Sequence, residues 1–123
     1  MDFRIEYCGG CFIATTSGDA EVEKFGVILD AILRHVDWKF GMPYIMDHSD
    51  LNAGPVTAKG IKRIAQLARE RRAKMGVKKS AIIAPRDLEY GLARMWLVIV
   101  DDEIDVTTKI FRTRKDAIAW ITA

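Results

Sequence analysis

At 123 residues, half of them hydrophobic and 29% charged, the chain is expected to fold as a single domain (1–123) with a real core, which excludes a disordered chain and a two-domain one. No apolar stretch approaches the length of a membrane span, and Met1-Asp2-Phe3-Arg4 lacks the basic-then-apolar form of a secretory signal, so a soluble cytoplasmic protein is the expectation. The net charge of +2 conceals an asymmetry: residues 59–79 hold nine Lys or Arg against Glu70, so that segment is +8 and the remainder −6, which fits a folded body with one basic surface rather than a uniformly basic nucleic-acid binder.

Phe3, Ile5 and Tyr7 alternate with polar residues and predict a first strand with one covered face. A second strand runs through about Thr16, and Gly9-Gly10 between the two predicts a hairpin turn. Cys8 and Cys11 flank that turn. Zinc needs about four ligands, and neither His35 nor His48 has ligand-like spacing; a thioredoxin-like pair needs a helix N-terminus. Two thiols beside a turn are therefore expected. Ser17-Gly18-Asp19 is expected to end the second strand, with Asp19 capping a helix whose stripe is Val22, Phe25, Ile28, Leu29, Ile32, Leu33 and Val36. Trp38 and Phe40 are expected as satellite core residues.

The third strand is expected over about Tyr44 to Asp47, releasing Asp47-His48-Ser49-Asp50 at its carboxyl end. Gly54-Pro55 then opens a second helix, with Ile61, Ile64, Ala65 and Ala68 inward and Gly76 at its end. Ser80 to Ala84 reads as a strand buried on both faces. Asp87 can cap a third helix with the stripe Leu88, Leu92, Met95, Trp96 and Ile99. Val106 to Phe111 is the last strand. Thr113 and Asp116 make a capping box for a closing helix anchored by Ala117, Ile118 and Ile121. The order β-β-α-β-α-β-α-β-α predicts an α/β fold, a mostly parallel sheet with an antiparallel edge hairpin.

Asp47, His48, Ser49 and Asp50 contain the residue types of a catalytic triad, but neighbouring side chains on a strand diverge and no Gly-x-Ser-x-Gly elbow is present. They read as a loop and cap, or as the polar rim of a bound ligand. Arg86 follows the fourth strand and is expected at the same sheet edge as His48. Tyr90 and Arg94, four apart on the third helix, can touch. Asp47, His48, Ser49, Arg86, Tyr90 and Arg94 are thus ligand-binding candidates. Lys59, Lys62, Arg63, Arg69 and Arg72 form a basic helix face, read either as a solvated surface or as a contact for anionic lipid. No helix-turn-helix or aromatic platform points to nucleic acid, no Gly-rich phosphate loop points to a nucleotide, and no cofactor or metal is expected. The exposed edge of the first hairpin makes a homodimer one expectation.

The runs "YIMDHSD", "GPVTAKGIKRIAQLARERR", "KSAIIAPRDLEYGLARMW" and "KIFRTRKDAIAWI" resemble the SpoIIAA-like family over nearly all 123 residues. These are small bacterial proteins related to the anti-sigma factor antagonist (STAS) fold and more distantly to CRAL-TRIO lipid-transfer domains. The resemblance implies the element order read above and a non-enzymatic binding protein. It implies either a carrier of a small nonpolar ligand or lipid, with peripheral contact to a membrane, or a STAS-like regulatory module acting through a protein partner. STAS antagonists are phosphorylated at the start of the second helix. The matching position here is Thr57, but the Asp-Ser-Ser-Gly pattern is missing.

Overall fold

The computed structural model describes residues 1–100 and 106–123. Its elements follow the predicted order: β1 Asp2–Tyr7, β2 Phe12–Asp19, α1 Lys24–Leu33, β3 Tyr44–Asn52, α2 Ala58–Met75, β4 Lys79–Ile83, α3 Asp87–Val100, β5 Thr107–Phe111 and α4 Arg114–Ile121. The sheet is ordered β1-β2-β3-β4-β5. β1 is antiparallel to β2, and every other neighbouring pair is parallel. This is the expected mostly parallel sheet with its antiparallel edge hairpin.

Three successive β-α-β units step the same way across this sheet. Right-handed crossovers then place α1, α2 and α3 on one face. The strand alternation sorts the core to match. Phe12, Ala14 and Met46 pack with Ile28, Leu29 and Ile32 of α1. The residues between them, Cys11, Ile13 and Ile45, turn the other way and pack with Ala117 and Ile121 of α4. α4 starts as expected: the Thr113 hydroxyl accepts the Asp116 N–H at 3.2 Å.

Several local expectations are corrected. Cys8 and Cys11 are joined as a disulfide across the Gly9-Gly10 turn instead of standing as two thiols. α1 ends at Leu33, where the chain enters successive tight turns (His35 N–H to Ile32 O, then Trp38 N–H to His35 O), so Val36 leaves the stripe and is 91% exposed. Trp38 does pack on the core, but Phe40 is 73% exposed. Pro55 precedes α2 in a turn. The cap is Thr57, whose hydroxyl accepts the Gly60 N–H at 3.1 Å.

α2 ends where predicted, at Gly76, with φ +61 and its N–H bonded to Arg72 O at 2.9 Å. The Phe40 ring lies against this glycine, so that an added Cβ would overlap it. Because Phe40 is 73% exposed its ring can swing aside, so Gly76→Ala should lower stability by about 1–2 kcal/mol in urea unfolding, the left-handed backbone strain, and by about the same in a Phe40→Ala background. A markedly larger cost in the Phe40 background alone would show that the ring cannot yield.

Candidate functional site

The Asp47-His48-Ser49-Asp50 cluster lies inside β3, not beyond it. Ser17-Gly18-Asp19, expected to break β2, instead continue it and pair with Asp50, Leu51 and Asn52. Asp19 accordingly caps no helix; its carboxylate accepts the Asn52 side-chain N–H at 2.8 Å. The register moves from Thr15↔Asp47 to Ser17↔Asp50, two residues on β2 against three on β3. β3 therefore carries one extra residue, a β-bulge, which is rare in parallel pairs and re-aims the side chains beyond it. Tyr44, Met46 and His48 line the face under α1–α3, whereas beyond the bulge the odd-numbered Leu51 lines it.

The bulge has a local cause. Asp47 Oδ1 accepts both the Ser49 N–H (3.0 Å) and the Ser49 hydroxyl (2.5 Å), an Asx turn set into a strand. Asp47 is buried, and its Oδ2 accepts from Arg114 Nε of α4 at 3.2 Å. Arg114 also donates to Thr15 Oγ1 at 3.1 Å and lies 3.6 Å from Glu6. Burial pushes the Asp47 carboxyl up, but the two Ser49 donors and the Arg114 guanidinium outweigh it and hold it below its ordinary value. Asp47 and His48 thus serve opposite faces of the sheet, and no triad is assembled.

On the helix-covered face, His48 Nδ1 sits 2.7 Å from Thr16 Oγ1, and its ring meets Phe25 edge-on at 5.7 Å. Thr16 has one proton and two acceptors in reach, Nδ1 and the Asp47 carbonyl at 3.2 Å, so its orientation selects the imidazole tautomer. Burial pulls the His48 pKa down to about 4, against the nearby Asp47 and Glu89 charges, so the ring is neutral at pH 7. It faces an apolar cavity of about 90 Å³. The floor of this cavity is β3 and β4, its walls Phe25 and Leu29 of α1 and Ile61 and Ile64 of α2, and its far side Leu92 and Trp96 of α3. Tyr44 also lines it, its phenol pushed up to about 12 by burial, with the Ser80 hydroxyl opposing.

α3 is rotated from the predicted stripe: Leu92 and Trp96 face inward as expected, but the stripe's other edge does not. Glu89, Ala93 and Val100 are buried, while Leu88 and Met95 are exposed. Glu89 belongs inside because its carboxylate is satisfied there: Oε2 accepts the Ala53 N–H at 3.0 Å and Oε1 accepts Arg86 Nε at 2.9 Å. Arg86 also donates to the Leu51 carbonyl. It is thus a latch between α3 and the end of β3. Tyr90 does not pair with Arg94: the Arg112 guanidinium lies over its ring at 4.0 Å, and Arg94 is exposed. Sequence reasoning missed Thr16, Glu89 and Arg114, each recruited across the sheet. Its one available signal was Glu89 falling seven residues before Trp96, on the same helix face.

The basic face of α2 is partly engaged by α1. Arg63 makes a two-pronged pair with Glu23 at 2.8 and 3.2 Å, and Arg71 another with Asp30 at 2.8 and 3.1 Å. Buried Gly26 admits this approach, with Arg71 and Leu67 atoms 3.0–3.2 Å from where its Cβ would be. Lys59 and Lys62 remain exposed. Arg69 and Arg72 border a second void of about 50 Å³ beside the first. No helix among the described residues is long and apolar enough to cross a membrane.

Compared by sequence, the chain matches no family model and no curated protein. Compared by structure, it is similar to an uncharacterized protein of the DUF3478 family with a SpoIIAA-like fold from Shewanella loihica PV-4, at 16% identity and TM-score 0.62, covering 98% of this chain and 92% of that one. It is also similar to an anti-sigma factor antagonist from Mycobacterium paratuberculosis, at 12% identity and TM-score 0.54, covering 99% and 94%. The fold is SpoIIAA-like, as the sequence resemblance implied. Neither structure bears on a CRAL-TRIO relationship.

The neutral His48 has a pH signature. Its pKa is about 4 folded and 6.5 ordinarily, so below pH 6.5 the unfolded chain takes up a proton that the folded chain refuses. Its contribution is complete above pH 6.5, falls as pH drops toward 4, and levels off below. Between pH 6.5 and 5 the loss should be about 2 kcal/mol in urea unfolding, and His48→Gln should flatten that slope. The Asp47 contribution is lost at lower pH, below 3.8, and stays outside this window. An unchanged slope in His48→Gln would refute the assignment.

Proposed function

We propose that the chain is a non-enzymatic, SpoIIAA-like regulatory module that acts by docking a protein partner on the outer face of α3. One observation carries this reading. Leu88, Met95 and Val98 are 53%, 44% and 76% exposed and fall on one side of a helix that already buries its other side. Gly91 lies among them with open space beside it, and exposed Arg94 borders the stripe. A helix face of this kind suits an apolar partner surface with an acidic rim. The fold shared with an anti-sigma factor antagonist supports a partner-dependent role. The divergence of Asp47 and His48 to opposite sheet faces supports a role without catalysis.

A photo-crosslinking residue at position 98 should give one discrete adduct in cells, and the same residue at position 36, also an exposed valine, should not. Leu88→Glu with Met95→Glu should abolish the adduct, and mass spectrometry of it should identify a kinase or another regulator. No adduct at 98, or equal labelling at 36, removes this reading.

The apolar cavity favours a second reading, a binder of a small nonpolar molecule, with His48 and Glu89 as its polar groups. Solvent extraction and mass spectrometry of the purified protein would recover such a molecule. An anionic membrane contact is carried less far, because Arg63 is already held by Glu23.

A further inference from the structure

Trp96 lines both adjoining voids, which also share Leu29, Tyr44, Ala68 and Ser80. Its indole Nε1 is buried and has no hydrogen-bond partner. An indole N–H can only donate, and a buried tryptophan ordinarily finds an acceptor. Three neighbouring polar groups already have partners: Ser80 Oγ shares a hydrogen bond with Thr108 Oγ1 at 2.8 Å, Glu89 is held by Ala53 and Arg86, and His48 Nδ1 is held by Thr16. The unpaired donor is thus available to an acceptor that enters the space.

We infer that this space binds a compact molecule, apolar over most of its surface, with one acceptor oxygen that the Trp96 indole N–H meets. The inference rests on the small-molecule reading above and adds the chemistry of the ligand. Size follows from the volumes. The cavity of about 90 Å³ with its neighbour of about 50 Å³ approaches the roughly 150 Å³ that accepts benzene in a dry protein cavity, so a six-membered ring or a chain of similar bulk fits. The acceptor is a carbonyl or ether oxygen.

The test uses the full chain with 15N-labelled tryptophan. Its three indole N–H resonances are followed during titration with cyclohexanone and, separately, methylenecyclohexane, which has the same shape without the oxygen. Trp96→Phe assigns the resonance. Cyclohexanone should move the Trp96 indole proton as a new hydrogen bond does, and methylenecyclohexane should move it far less. In Trp96→Phe the cyclohexanone affinity should fall about fivefold while that of methylenecyclohexane changes less than twofold. If both probes bind but neither shifts the indole proton selectively, the acceptor inference is overturned and the small-molecule reading stands. If neither binds, both are overturned. The wild-type titration decides the matter even if the variant folds poorly.

Discussion

The extra residue in β3 is the constraint on which the rest of the structure depends. A strand presents alternate residues to alternate faces, so one inserted residue exchanges the two faces for everything that follows. Asp47 forces the insertion by folding its carboxylate onto Ser49, and Arg114 locks it from the far side of the sheet. Because of it, Leu51 rather than Asp50 enters the helix-covered face, and the backbone at Leu51–Ala53 offers the carbonyl and N–H that Arg86 and Glu89 engage. Removing the guanidinium would leave the Asp47 carboxylate with only Ser49 as partner, at less cost than breaking a fully buried pair because Arg114 is 39% exposed.

The two faces of the sheet are filled differently. One short helix, α4, seals its side with Ala117 and Ile121 against Ile13, Ile45 and Ile83. On the other side three helices meet over a floor that is small at Ser80, and the gap among them stays open. The same α3 that roofs this gap carries an exposed apolar stripe on its outer side. The two proposed readings, ligand and partner, therefore use the inner and outer surfaces of one helix. The two readings of function are connected through α3 and do not compete for the same residues.

Element type and order were legible because local signals agreed: Gly76 as a left-handed cap, the Thr113–Asp116 box, the Gly9-Gly10 turn, and the periods of α1 and α2. What stayed hidden were features decided across the sheet. Asp-His-Ser-Asp looks like a strand end because four polar residues in a row seldom continue a buried strand. Here they do, since Ser17-Gly18-Asp19 supply an edge to pair with. Glu89 looks like surface until Ala53 and Arg86 are seen to satisfy it, and that error rotated the predicted face of α3 toward Leu88 and Met95. His48 was legible as a residue of interest. Its neutral state and its separation from Asp47 were not, because they follow from burial and from the strand's two faces.

The spatial order of the strands, β1 to β5 from one edge to the other, repeats their order along the chain. A growing polypeptide can therefore build the sheet vectorially, each new strand adding to the edge its predecessor has just formed, with no earlier strand held open for a later one. Such nearest-neighbour growth keeps loop closures short for a parallel sheet and favours fast assembly. One tie breaks the sequence: Arg114, from the last helix, reaches back to Asp47 in the third strand. The middle of the sheet is thus tied to the end of the chain: only with α4 in place does the Asp47 carboxylate have its countercharge.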